Sequence, residues 1–182
     1  MLSLLIAFLA LSPLSVMAQP PPTCPPELTL TMEPATGATL YYAMVPSNNP
    51  PDNNNGLLCG RLEVESEAWV GFGISADSPG QMIGSDTIVG QPDEPAANAV
   101  LKYDLNGKGG GQQVPMPPDQ QTLTDTSISQ ADGRTIMAFT KLLVEPNENE
   151  ILESGTNNFL IAWGTSNNFG YHGSDNKVRF TK

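Results

Sequence analysis

Two residues far apart in the chain, Met82 and His172, carry side chains suited to one chemistry. Met82 lies in the turn-like stretch Gly80-Gln81-Met82-Ile83-Gly84-Ser85-Asp86. His172, the only histidine, follows the apolar run Phe159-Leu160-Ile161-Ala162-Trp163-Gly164 and the segment 165–171. A thioether and a neutral imidazole are soft donors that together fill both axial positions of a haem iron in electron-transfer proteins. Taken singly, each residue has an ordinary explanation: methionine packs loops and cores, and a lone histidine is commonly exposed or satisfied. Position adds weight to the chemical reading. Gly80 and Gly84 give the Met82 stretch freedom to fold its thioether over a flat ligand. His172 comes just after an apolar strand emerges, where an imidazole is held while its other ring nitrogen bonds a carbonyl or water. A single histidine excludes bis-His ligation and multi-His metal sites.

The elements that must position these residues read as strands. Strand-like segments recur at 28–32, 39–45, 57–65, 69–75, 86–89, 99–105, 121–129, 135–143, 158–164 and 177–181, parted by Gly, Pro, Asn and Asp clusters at 46–56, 91–96 and 107–118. Short strands with such punctuation indicate an all-β antiparallel sandwich or barrel. In Leu62-Glu63-Val64-Glu65 apolar residues alternate with carboxylates, so one face is core and the other wet. Phe159 to Trp163 and Ile136 to Phe139 are apolar on both sides. These two strands are therefore expected to be covered on both faces, by a ligand at one end of the sandwich or by a flap such as 107–118.

Read in order, Trp69-Val70-Gly71-Phe72-Gly73-Ile74-Ser75, the Gly80-to-Asp86 stretch, Val100-Leu101-Lys102-Tyr103-Asp104-Leu105, Asp132-Gly133-Arg134-Thr135, and Ala162-Trp163-Gly164 with Tyr171-His172 resemble the DOMON family. The resemblance is to its haem-b cytochrome members in particular and runs from Thr39 to His172. It implies an immunoglobulin-like antiparallel β-sandwich with a haem pocket at one end and with Met82 and His172 as axial ligands. No Cys-x-x-Cys-His sequence exists, so the cofactor would be noncovalent haem b. With both axial positions filled, oxygen has no open site, and outer-sphere electron transfer remains. The implied function is that of a secreted single-domain b-type cytochrome, more an electron-transfer protein than an enzyme with its own substrate. The alternatives are a non-redox DOMON module holding a sugar or other small ligand and, in a third class, an adhesive sandwich. Lys102, Tyr103 and Arg134 are candidates to hold haem propionates.

Composition sets the wider frame. Residues 1–18 read as a signal peptide with a small-residue cleavage site at Val16-Met17-Ala18, residues 19–35 as a Pro-rich arm, and residues 36–182 as the sandwich domain. The expected location is extracellular, with no membrane insertion of the mature chain. The net charge of −11 argues against nucleic acid and anionic membranes and suits docking to a basic redox protein, although solubility explains it equally. With ten residues given after His172, no flavin or membrane domain is expected beside the sandwich. Donor and acceptor are thus expected to be separate extracellular redox proteins or small redox molecules. Two cysteines, Cys24 and Cys59, in an exported chain favour a disulfide, with two free buried thiols as the alternative. Met32, Met44, Met137, Trp69 and Trp163 are expected in the core, Met116 in a surface loop, Asp86 as a turn stabiliser, and the acidic run 145–150 in solvent.

Overall fold

Alternation of large and small or polar residues makes each strand two-faced, and two such faces close a core between them. In the computed structural model, which describes residues 21–47, 56–77, 80–107 and 113–182, the strands are β1 (Leu30–Ala35), β2 (Ala38–Val45), β3 (Leu57–Val64), β4 (Val70–Ser75), β5 (Asp86–Gly90), β6 (Val100–Leu105), β7 (Gln113–Pro115), β8 (Thr124–Ala131), β9 (Arg134–Leu142), β10 (Asn158–Trp163) and β11 (Lys177–Thr181). One sheet has the order β1-β2-β3-β9-β8 and the other β11-β10-β4-β5-β6-β7. All strand pairs are antiparallel. The fold is the expected all-β sandwich. The signal-peptide assignment at 1–18 lies outside the described residues.

Leu58, Leu62 and Val64 of β3 face Val70, Phe72 and Ile74 of β4 across one continuous core. Glu63 and Arg61 point the other way and pair with each other. Phe72 lies against Phe139 of β9 and Phe159 of β10, at ring separations of 5.4 and 5.1 Å. This triplet ties the two sheets together. Gly60 of β3 leaves the space that the Phe139 ring fills, since a Cβ there would stand 2.4 Å from it.

The sandwich departs from expectation in three places. β1 carries the strand expected at 28–32 on to Ala35, so the stretch 19–35 read as the Pro-rich arm ends in a strand that pairs with β2 through Leu30, Thr31 and Met32 and forms the edge of the first sheet. β7, too short and too Pro-flanked to read as a strand, pairs with β6 inside what was taken as a loop. Met116 just after it is buried, its N–H donating to the Lys102 carbonyl at 2.9 Å. The expected surface loop is thus tucked in, because β7 draws it against β6. The apolar outer positions of β9, Ile136 and Ala138, are only half-buried. Leu160 and Ala162, the corresponding positions of β10, line a cavity.

Cys24 and Cys59 are joined, with Cα atoms 5.9 Å apart and a sequence separation of 35. The link fastens the N-terminal segment over the outer face of the first sheet, where Cys24 and Leu28 cover Ala43, Leu57 and Cys59. Cross-linking a loop of this length restricts the unfolded chain by roughly 3 to 4 kcal/mol. Reduction should lower the unfolding free energy by about that amount. Urea melts with and without reductant measure it, and an unchanged midpoint would contradict the role given to the bridge.

Candidate functional site

The outer face of the six-stranded sheet has an unusual floor. In β4 the inward residues are Val70, Phe72 and Ile74, and the outward ones include Gly71 and Gly73. With β5 and β10 on either side, the outward residues are Thr87, Val89, Leu160 and Ala162. Side chains at 71 and 73 would rise from the middle of this surface. Their absence leaves a depression of about 440 Å³ walled by Trp69, Val89, Leu105, Leu160 and Phe169.

Two loops reach this cavity from opposite ends of the sheet. The β4–β5 loop leaves from Ser75 and carries Met82, whereas the β10–β11 loop leaves from Trp163 and carries His172. Ser75 pairs with Asn158, and Val70 pairs with Trp163, so the loop origins lie at opposite ends of β4. At about 3.3 Å per residue they are roughly 17 Å apart along the strand. Met82 and His172 both line the cavity. The sequence-expected pair is therefore brought to one cavity, but on a sheet face between the two ends and not at one end of the sandwich. The reason is the glycine floor, which makes the face itself concave.

Each loop is held in place. Phe169 packs edge-on against Trp69 at 5.0 Å and tilted against Tyr103 at 5.2 Å, which clamps the β10–β11 loop over the outer face. Trp69 thus serves this outer cluster and not the inter-sheet core, while Trp163 packs inside as expected. On the other side, Ser75 Oγ accepts the Gln81 N–H at 3.1 Å, and the Leu105 carbonyl accepts the Gly84 N–H at 2.9 Å. Gly84 adopts a left-handed backbone (φ +80°) that turns the chain after Met82.

His172 is half-buried, and its Nδ1 is 2.6 Å from the Gly173 carbonyl oxygen. A carbonyl only accepts, so Nδ1 carries the proton and Nε2 presents a lone pair. Burial pushes the imidazole pKa below its ordinary value; the Gly173 contact opposes this, and the charge of Lys177 adds to the lowering. The ring is thus poised as a neutral donor. Tyr171 stacks near it at 5.2 Å and is 77% exposed.

The cations at the cavity were not anticipated. Lys177 and Arg179, outward residues of β11, both line it, and neither has an ion-pair partner among the described residues. Their alternation with inward Val178 and Phe180 is visible in the sequence, but it does not distinguish a cavity wall from an ordinary solvent face. Of the anticipated cations, Arg134 pairs with Glu65 at 3.1 Å on an exposed edge, away from the cavity. Lys102 pairs across strands with Ile88 and therefore points between the sheets. Tyr103 is on the cavity side, but its hydroxyl takes a hydrogen bond from Gln91 at 2.8 Å. Thr87 Oγ1 is buried with no hydrogen-bond partner and sits in the cavity lining. A buried hydroxyl without a partner is costly, so a bound group there would relieve it.

The acidic run is not solvated. A left-handed Asn147 (φ +62°) folds the turn so that the buried Glu145 and Glu148 side chains meet two buried ammoniums, Lys102 and Lys141. Lys102 lies 3.0 Å from Glu145 and 2.5 Å from Glu148, and Lys141 lies 2.7 Å from Glu148. Burial alone would raise the Glu145 pKa, but hydrogen bonds from Lys141, Thr122 and Lys102 outweigh it and hold the carboxyl below its ordinary value. Asp86 is shifted up by burial despite the hydrogen bond from the Asn149 N–H. It stands in β5 beside this cluster, not in a turn. No group of three or more His, Cys, Asp or Glu side chains able to hold a bare metal ion occurs among the described residues.

Residues 59–164 match the DOMON domain family. The chain belongs to that family. The matched span begins in β3 and ends one residue after β10, so it contains the glycine floor and the Met82 loop. His172 and the two β11 cations lie beyond it.

The lone histidine makes one test direct. In ligand-free protein the His172 imidazole should titrate with a midpoint below 6.5, since its folded pKa is depressed. Its contribution to stability is present above the unfolded pKa and is lost as the pH falls through the folded one. A midpoint at or above 6.5 in an NMR titration would remove the case for a buried neutral donor.

Proposed function

We propose that this DOMON protein is an extracellular one-electron carrier that holds noncovalent haem b in the outer-face cavity, with Met82 and His172 as axial ligands. The observation that carries the reading is the convergence of the two soft donors, from opposite ends of the sheet, on one cavity with a glycine floor. The remaining lining suits the same group. Leu105, Leu160, Ala162 and Val89 offer apolar walls, Gly71 and Gly73 allow a flat ring to lie close to the sheet, and Lys177 and Arg179 would meet its carboxylates. Held by the Met82 thioether and the His172 imidazole, haem b would supply a ferric/ferrous couple for one-electron transfer. The chain itself keeps His172 neutral by burial and by the charge of Lys177, leaves its Nε2 lone pair free by holding Nδ1 at the Gly173 carbonyl, excludes water with Trp69 and Phe169, and supplies positive charge at the β11 side. The Cys24–Cys59 bridge supports an oxidising, extracellular setting. No helix among the described residues is long and apolar enough to cross a membrane.

The non-redox alternative rests on Thr87, whose unpaired hydroxyl also fits a hydroxyl-bearing small ligand. Haem supplementation separates the two. The purified protein should take up one haem and, on dithionite reduction, give a sharp low-spin b-type spectrum. Met82→Ala should retain haem with a lower potential and an open or water-filled axial position, whereas His172→Ala should weaken retention roughly tenfold or more. A colourless protein, or variants that keep the parent spectrum and potential, would favour the small-ligand module.

The partner we propose is a separate redox protein or small redox molecule. A chain of net charge −11 should meet a basic acceptor faster at low salt. Stopped-flow electron transfer to cytochrome c should slow as ionic strength rises. A flat or rising rate would assign the charge to solubility alone.

A further inference from the structure

The Met82 loop is held by a residue outside the cavity. Asn149, in the connection between β9 and β10, donates from Nδ2 to the Ile74 carbonyl at 3.2 Å and to the Gly84 carbonyl at 3.0 Å. Ile74 is in β4 just before the loop begins, and Gly84 is near its end. One side-chain amide thus clasps both stems where β4 and β5 part, beside the Ile74–Asp86 strand pair. The Asn149 backbone N–H also donates to the Asp86 carboxylate. A hydrogen-bonded Asn at this point can satisfy two carbonyls at once because its amide has two donors.

What holds Asn149 is its neighbour. Glu148 is locked between Lys102 and Lys141, side chains that are themselves 1% exposed. The cluster contains two ammoniums and two carboxylates, and each lysine meets both glutamates. Asn149 does not line the cavity, yet it sits one bond beyond this rigid cluster and reaches the loop that carries Met82.

We propose that Asn149 is a positioning residue for Met82: anchored by the Lys102, Lys141, Glu145 and Glu148 cluster, it closes the base of the β4–β5 loop and so fixes where the thioether stands. The part concerning the thioether rests on the haem reading given above; the clasp on the loop does not.

The test uses the full chain and two readouts. In haem-free Asn149→Ala, hydrogen exchange at Gln81, Gly84 and Ser85 should quicken roughly tenfold or more, because two hydrogen bonds that close the loop are lost. Amides of β3 and β9 should keep the parent rates. Asn149→Gln, which retains the amide donors, should restore part of the protection. In the haem-loaded protein, Asn149→Ala should lose intensity in the far-red sulfur-to-ferric-iron charge-transfer band and shift to a lower potential, while His172 ligation persists. Unchanged exchange at 81–85 overturns the clasp, whatever the spectrum does. Quickened exchange with an unchanged charge-transfer band and potential overturns the positioning of Met82. Failure of the parent protein to bind haem overturns the haem reading and leaves the exchange result to decide the clasp alone. If Asn149→Ala unfolds, Asn149→Ser, which keeps a polar side chain but has one donor and too short a reach to hold both carbonyls, is read by the same criteria.

Discussion

A strand that is core on one side and the floor of a cavity on the other must present bulk to the first and almost nothing to the second. β4 meets both demands in five residues, Val70-Gly71-Phe72-Gly73-Ile74, because the pleat sends alternate side chains to opposite faces. Val70, Phe72 and Ile74 belong to the core between the two sheets, and Phe72 reaches across it to Phe139 while packing beside Phe159 of its own sheet. The glycines cost some strand stability through backbone entropy, and burial of the three large residues offsets it. A one-residue slip would put the phenyl ring into the cavity and empty the core, so register and site are set by the same pairing with β5 and β10.

The loops that complete the site depend on supports of opposite kinds. The His172 loop is held by aromatic packing, Phe169 between Trp69 and Tyr103. The Met82 loop is held by polar contacts that trace back to buried charges. Taking Lys102, Lys141, Glu145 and Glu148 out of water is expensive, and mutual attraction compensates only when every partner is in place. Such a cluster adds little net stability over an apolar replacement, but it tolerates few alternative arrangements. That intolerance is useful next to a loop whose position matters. Removing one member should be far worse than replacing the set, because an unpaired charge would be left inside.

Much of this was legible in the chain. Strand positions followed from local alternation and turn residues, which is why only the three-residue β7, flanked by glycines and prolines, escaped notice. Met82 and His172 were legible as chemical types, and Cys24 and Cys59 as a pair. The acidic run was misread as solvated, and Lys102 as a ligand for carboxylates, because nothing within either segment reveals which face another segment will cover. Lys177 and Arg179 were passed over for the same reason. Alternating with Val178 and Phe180 they look like any solvent face, and only the neighbouring strand β10 shows that this face borders a cavity.

The sequence by itself determined the all-β architecture, the two faces of each strand and the donor types available, since these depend on residue identity and on a period of two along the chain. Tertiary structure alone decided that loops leaving opposite ends of β4 return to one cavity, that the glycines of its middle form the floor, and that two lysines meet two glutamates inside the protein. Those outcomes depend on which strands lie side by side and how far each connection reaches over them. Such placement is fixed by contacts between residues distant in the chain, and no local pattern encodes it.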